Sequence, residues 1–342
     1  MNRLQIIRAG LCSTVQDLGR ARFRHLGVPC GGAMDRMSHE LANRLVGNSD
    51  DAATIEMTLT GDEIQFADDT LIAFTGAEME AMTISGGEVS LAVPQNRPAL
   101  IAAGSVIRFQ AARRGCRCYV AMAGGVDVPV VMGSRSTLLR AGFGGHCGRA
   151  LIAGDELPVG VPTHAGREIH SRLSALSSMS VIQPRWFVRP VELPNSNLAT
   201  LRIIAGAQTA LLKSLSLERL LDASFRVSSQ SDRMGYRLTD QPLALDRSED
   251  LLSEGVVSGT LQLPPDGNPI LLMADCAPTG GYPRIGHVIS ADMGIAAQLR
   301  PGQAVRFEMV SLDEAQRLFM QQQQTFQNAL TMAALVRFRP CV

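Results

Sequence analysis

Lysine is almost missing from this chain. Lys and Arg together number 32, and Lys213 is the only lysine among them. A Schiff-base or phosphate-gripping lysine could therefore only be Lys213. No Gly-x-x-x-x-Gly-Lys-Ser/Thr loop occurs, which excludes a P-loop. Net charge is also missing: 32 acidic residues balance the 32 basic ones, so no long-range field favours nucleic acid. No apolar run approaches the ~20 residues of a membrane span. Arg3 and Arg8 break the only early apolar stretch, and Leu11 before Cys12 is a poor lipoprotein cleavage residue, so a cytoplasmic protein is expected. The six histidines, at 25, 39, 146, 164, 170 and 287, show no metal-ligand spacing, and no bound metal is expected. A Gly-x-Ser-x-Gly elbow is absent, which argues against a serine hydrolase. Seven cysteines (Cys12, Cys30, Cys116, Cys118, Cys147, Cys276 and Cys341) are odd in number and scattered. They fit small buried hydrophobes in a reducing compartment, not a disulfide scaffold.

What the chain does have is short strands between glycine-rich turns. Its 342 residues suggest roughly two domains. Thr70–Phe74, Ala99–Ala102, Val106–Phe109 and Arg117–Met122 read as strands; in the last, Cys118, Val120 and Met122 face one way at period two. Leu201–Ile204, Pro269–Met273 and Ala304–Met309 repeat the style in the second half. Leu261–Leu263 and Ile270–Leu272 flank Pro264-Pro265-Asp266-Gly267-Asn268, a hairpin signal. Helices are expected over Asp35–Val46, Ala210–Leu221 and Ala291–Leu299, and after the capping box that Ser311 begins with Glu314. Pro162, Pro184, Pro190 and Pro194 punctuate an aperiodic, serine-rich stretch that reads as a linker with room for one short helix. The division expected is a first domain over 1–165, a linker over 166–199 and a second domain over 200–342 ending in a helix. Many short strands with Gly/Pro turns favour barrels or sandwiches.

Two loops concentrate functional chemistry. Ser231-Asp232-Arg233-Met234-Gly235-Tyr236-Arg237 holds two arginines four apart, whose guanidinium forks suit a carboxylate or phosphate. Asp232 or Glu254 could orient one of them, and Gly235 would free the backbone to aim both inward. Asp275-Cys276-Ala277-Pro278-Thr279-Gly280-Gly281-Tyr282-Pro283 is the second loop, where adjacent glycines could form an anion-binding nest. Between them Gln262 offers amide donors and an acceptor. Arg233, Arg237, Glu254 and Asp275 are therefore the catalytic candidates. Asp232, Gln262, Thr279, Gly280, Gly281 and Tyr282 are the substrate-binding candidates. The alternative for Glu254 and Asp275 is an arginine partner that closes the fold. For Tyr282 it is a half-buried ring with its hydroxyl in water. A first-half group, Gln16, Asp17, Arg20, Asp35, Asn43, Asn48 and Glu56, reads as mainly structural, with Asp35 an N-cap and Asn48 a helix-ending turn. Gly133-Ser134-Arg135-Ser136-Thr137 could hold an anion or be a self-bonded turn. Gly142–Arg149 is glycine-rich without the strand–helix setting of a dinucleotide fingerprint.

Taken with Thr14–Arg20, Gly32–Asp35, Ala42–Asn48 and Gly133–Thr137, these loops resemble the biotin-dependent carboxyltransferase / allophanate hydrolase subunit 2 family, from about Ile6 to about Val310. That family includes a component of bacterial 5-oxoprolinase, Kip-type kinase-inhibitor antagonists and a region of urea carboxylase. The resemblance implies a mainly β fold with two cyclophilin-like β-barrel domains and a few short helices. It implies the role of the C subunit in ATP-dependent opening of 5-oxoproline to glutamate. The partners implied are an A subunit plus a Kip-type (KipI-like) B subunit. ATP would be shared with a partner. Biotin could enter only on another chain, because Lys213 in Leu-Lys-Ser lacks a carrier's Met-Lys setting. Carboxyl transfer to urea, or regulation through a Kip-type inhibitor, are the other activities the family suggests. Many members carry Gln-Thr-Thr-Gly-Gly-Tyr-Pro where this chain has Ala277-Pro278-Thr279-Gly280-Gly281-Tyr282-Pro283. The amide and one hydroxyl are gone, and the backbone of Gly280 and Gly281 remains.

Overall fold

The computed structural model describes residues 2–85, 88–176, 179–189, 192–194, 197–247 and 251–337. Pro190 and Cys341, named above, lie outside the described residues. The chain forms two compact units. The first comprises Met1–Gly19, Asp35–Val191 and Thr325–Val342; the second comprises Arg20–Met34 and Glu192–Gln324. This division differs from the expected one in three places, one of them the C-terminal segment Thr325–Val342, which was expected in the second domain and is grouped with the first unit. The early segment Arg20–Met34 belongs to the second unit, where Met34 joins the core. Much of the expected linker belongs to the first: helix His164–Ser174, capped by Thr163, buries Ile169 and Leu173. Strand Val181–Ile182 then pairs with Ala99–Ile101. These departures arise from long-range packing that local composition does not report.

The fold is mainly β. In the first unit one six-stranded sheet runs in the order Glu156–Pro158, Arg3–Arg8, Glu63–Phe66, Val106–Phe109, Ala81–Ser85, Glu88–Val93. The other runs Val181–Ile182, Ala99–Ile101, Thr70–Glu78, Arg114–Met122, Thr54–Thr58, Cys12–Gln16. Alternating apolar side chains from both sheets meet in one core, including Ile6, Phe66 and Phe109 from the first and Ile55, Cys118, Val120 and Met122 from the second. Phe74 and Phe109 meet edge-on, with ring centroids 5.2 Å apart. Helix Arg36–Leu45 starts on Asp35, whose carboxylate accepts from the Ser38 N–H at 3.1 Å, as an N-cap should.

The second unit closes into a seven-stranded barrel: Leu198–Ala205, Arg284–Val288, Thr260–Gln262, Ile270–Leu272, Gly235–Thr239, Phe225–Val227, Ala304–Met309. Its last and first strands pair in parallel, Leu198 opposite Ala304 and Ile203 opposite Met309. The expected hairpin is present, Leu261 opposite Leu271, and Gly267 supplies a left-handed φ of 80° in its turn. Leu201, Ile203, Tyr236, Leu238, Leu261, Leu271, Val305 and Phe307 fill the interior. Each such side chain contributes about 1.5–3 kcal/mol on burial. The Ser311 hydroxyl accepts from the Glu314 N–H at 3.1 Å and starts the long helix Leu312–Arg337.

Candidate functional site

Arg233 lies in the loop before strand Gly235–Thr239. Its Nε donates to Asp275 Oδ2 at 2.9 Å and one Nη to Oδ1 at 3.0 Å, while the same Nη reaches the Gly32 carbonyl at 2.6 Å. The Asp275 N–H returns to the Arg233 carbonyl at 2.9 Å. Both side chains are buried, 10% and 5% exposed. This is a bidentate pair that ties three stretches of chain together. It matches the alternative given above for Asp275, an arginine partner closing the fold.

Asp232 does not orient either arginine. Its Oδ1 accepts from the Met234 N–H at 2.8 Å and the Gly235 N–H at 3.2 Å, forming a local turn. Asp17 makes the same kind of turn, accepting from the Gly19 N–H at 2.8 Å. Nor do Arg233 and Arg237 converge. Strand alternation buries Tyr236 and Leu238 in the barrel and leaves Arg237 exposed on its outer wall. Gly235 is there for close packing: a Cβ would sit 3.0 Å from Ile270 Cγ2 and 3.2 Å from the Leu271 carbonyl oxygen.

The remaining candidates gather around a two-stranded ribbon, in which Glu254 pairs with Gly280 and Gly255 with Thr279. Neither Gly280 nor Gly281 has a left-handed φ, so they make no αR–αL nest, contrary to the expectation above. Gly280 instead lies against the Gln262 carboxamide, where a Cβ would fall 2.6 Å from Nε2. Gln262 is buried and its Nε2 donates to the Tyr282 carbonyl at 3.4 Å. Tyr282 exposes 46% of its surface and Thr279 is exposed. The Glu254 carboxylate accepts from an Nη of Arg284. Glu254 therefore does not orient Arg233 or Arg237 either. Arg284 stands opposite Gln262 in the barrel ladder. Gln208 accepts from the Arg284 N–H at 3.0 Å and from its Nε at 3.4 Å. Arg284 and Gln208 were not among the sequence candidates. Arg284 directly follows the Tyr282-Pro283 motif, which was the available signal; Gln208 carries none.

The first-half group is engaged in internal polar networks, with Gln16 Oε1 buried and without a hydrogen-bond partner among the described residues. Asp17 accepts from the hydroxyls of Ser134 and Ser136, at 2.6 and 2.5 Å, and from the Arg135 N–H at 2.5 Å. The loop at 133–137 thus holds an anion, but it is the chain's own carboxylate. The Arg135 guanidinium turns to Asp127 and the Val128 carbonyl. Tyr119 donates to Glu56 at 2.7 Å and accepts from the Asp35 N–H at 2.7 Å. Burial, then the Glu56 charge, holds that phenol well above its ordinary range. Asn48 closes the first helix, its Nδ2 donating to Asn43 Oδ1 at 3.0 Å and to the Met122 carbonyl at 2.8 Å. His39 is buried against Thr54 and the Asp50 carbonyl, both at 2.9 Å, and burial lowers its pKa to about 4. Among the described residues no helix is long and apolar enough to cross a membrane.

The family described as carboxyltransferase domain, subdomain A and B, matches residues 26–309. The C subunit of 5-oxoprolinase from Escherichia coli K12 is 38% identical over 324 residues, covering 95% of this chain and 96% of that protein. The Haemophilus influenzae protein of the same name is 34% identical, covering 90% and 91%. Among solved structures, the urea amidolyase of K. lactis aligns with a TM-score of 0.82 at 26% identity over 96% of this chain. This chain spans 20% of that much longer protein. The domain match and the end-to-end likeness to the two bacterial proteins agree, and the chain belongs to the carboxyltransferase domain, subdomain A and B, family.

Proposed function

We propose that this chain is the C subunit of an ATP-dependent 5-oxoprolinase that works in the cytoplasm with two partners, an A subunit plus a Kip-type B subunit. The observation that carries the reading is collinearity: likeness to the E. coli protein runs over 95% of this chain and 96% of that one. Opening a lactam in water is slow because an amide is a poor electrophile. Transfer of a phosphoryl group from ATP to the amide oxygen releases ADP and makes the carbonyl carbon attackable. Water adds there, and the ring C–N bond breaks with the nitrogen leaving as a protonated amine. A second water releases inorganic phosphate from the acyl phosphate that remains, giving glutamate. The chain's part is to bind and orient the lactam and to stabilise developing negative charge through fixed guanidinium and backbone donors. The residues available for this are those of the ribbon: Glu254, Gln262, Thr279, Gly280, Gly281, Tyr282 and Arg284. Without a P-loop, nucleotide phosphates would meet backbone donors here and charged donors on the partner chain. Arg233 and Asp275 serve by holding the loops that carry this surface.

A second reading has one observation in its favour, the TM-score of 0.82 against urea amidolyase. It is carboxyl transfer to urea or a related amide, with carboxybiotin carried by another chain. Lys213 is a poor biotin carrier, because it lies in Leu212-Lys213-Ser214 just before helix Ser214–Asp222 and lacks a carrier's Met-Lys setting. The two readings separate in one assay: the chain mixed with its two partners is offered either 5-oxoproline or urea, and ADP release is followed. Stimulation by 5-oxoproline supports the first reading; stimulation by urea alone, dependent on a biotin carrier, replaces it.

A further inference from the structure

Four arginines of the second unit, Arg24, Arg233, Arg237 and Arg284, are not equivalent. The Arg233 fork is committed to Asp275 and the Gly32 carbonyl. Arg237 sits on the outer barrel wall. Arg24 gives an Nη to the Val256 carbonyl. Arg284 alone is paired with a carboxylate that water already reaches: the Glu254 side chain is 56% exposed and that of Arg284 27%. An exposed ion pair is weak, so a second carboxylate can replace it at small cost. The guanidinium is nevertheless held in place. Gln208 accepts from its Nε and from the residue's own N–H. Gly206 allows the chain to pass so close that a Cβ there would lie 2.2 Å from the Arg284 carbonyl oxygen. The buried Gln262 faces Arg284 across the ladder, and Thr279 and Tyr282 sit exposed on the same loop.

We propose that Arg284 receives the carboxylate of the substrate, and that Glu254 is the internal carboxylate it releases when substrate binds. The assignment rests on the 5-oxoproline reading, since that lactam carries a carboxylate beside its ring nitrogen. A pre-oriented guanidinium suits a bidentate carboxylate, whereas an ammonium acts as a point charge. Arg284→Lys should therefore restore binding only in part, and Glu254→Gln should tighten it by removing the competitor.

The test uses the reconstituted complex with parent, Arg284→Gln, Arg284→Lys and Glu254→Gln chains. 5-Oxoproline is compared with its neutral carboxamide, read as turnover or as inhibition. The parent should prefer the acid by about tenfold or more, the worth of one charge-assisted contact. Arg284→Gln should raise KM for the acid by roughly ten- to a hundredfold and lose the preference, with kcat changed much less. Glu254→Gln should lower KM for the acid. Thermal melts of each variant remove any loss due to unfolding. Equal losses on acid and amide, or an unchanged KM for the acid in Arg284→Gln, overturn the assignment alone. A parental complex that never responds to 5-oxoproline overturns the functional reading, and this assignment with it.

Discussion

Replacing Arg233 should damage the fold before it damages the chemistry. Its guanidinium makes two bonds to Asp275, at 2.9 and 3.0 Å, and one to the Gly32 carbonyl at 2.6 Å, with both side chains buried. Arg233→Met leaves the Asp275 carboxylate buried without its cation. Breaking one side of a buried pair costs about 3–5 kcal/mol. Arg233→Lys keeps the charge but cannot span both carboxylate oxygens and Gly32 at once. It should lose at least one charge-assisted bond, about 1.5–3 kcal/mol. Removing both charges, in Arg233→Met with Asp275→Leu, should cost less than the sum of the single changes, because no orphan charge remains. Urea denaturation followed by circular dichroism gives the stabilities of the parent, both Arg233 variants, Asp275→Leu and the double variant at one pH. Activity of the reconstituted complex, per mole of folded chain, gives the chemistry. If Arg233→Lys unfolds at the parental urea concentration yet abolishes turnover, Arg233 acts on substrate and the structural reasoning is wrong.

His39 has a pKa of about 4 in the folded chain, below its ordinary 6.5, because of burial. Between those values the unfolded chain binds a proton that the folded chain refuses, so the stabilisation is complete above about pH 6.5 and is lost as pH falls toward 4; the gap is worth up to ~3 kcal/mol. Unfolding free energies from pH 4 to 8 should show this slope in the parent and lack it in His39→Asn, and equal slopes would contradict it. Gly206→Ala meets backbone at 2.2 Å and should cost about 1–3 kcal/mol, whereas Gly280→Ala meets only the end of the Gln262 side chain and should cost less. Thermal melts of the two variants check the order; Gly280→Ala being the less stable would reverse it.

Period-two alternation located the strand that carries Cys118, Val120 and Met122, and capping chemistry located the helices after Asp35 and Ser311, because these signals are local. The barrel's hairpin was legible for the same reason: an Asp-Gly turn sets register within a few residues. Partners distant in sequence were not legible. Asp232 stands beside Arg233, yet the carboxylate that holds Arg233 lies 42 positions away, because the nearer one is spent on its own turn. Gln208 holds Arg284 from 76 positions away. The pair of glycines at 280–281 resembled a nest in sequence, but what decides Gly280 is a collision with Gln262 that only the folded ladder creates. The candidate surface was thus legible as a loop and not as a set of pairings.

The central claim is that this chain is a required part of a 5-oxoprolinase. The most direct measurement is 5-oxoproline-dependent ADP and glutamate formation by the two purified partners, with and without this chain, and by this chain alone. Turnover is expected only when all three are present, with none from this chain by itself and with co-elution of the chain and the Kip-type B subunit at micromolar concentrations. Undiminished turnover without it, or turnover by the chain alone, would contradict the account.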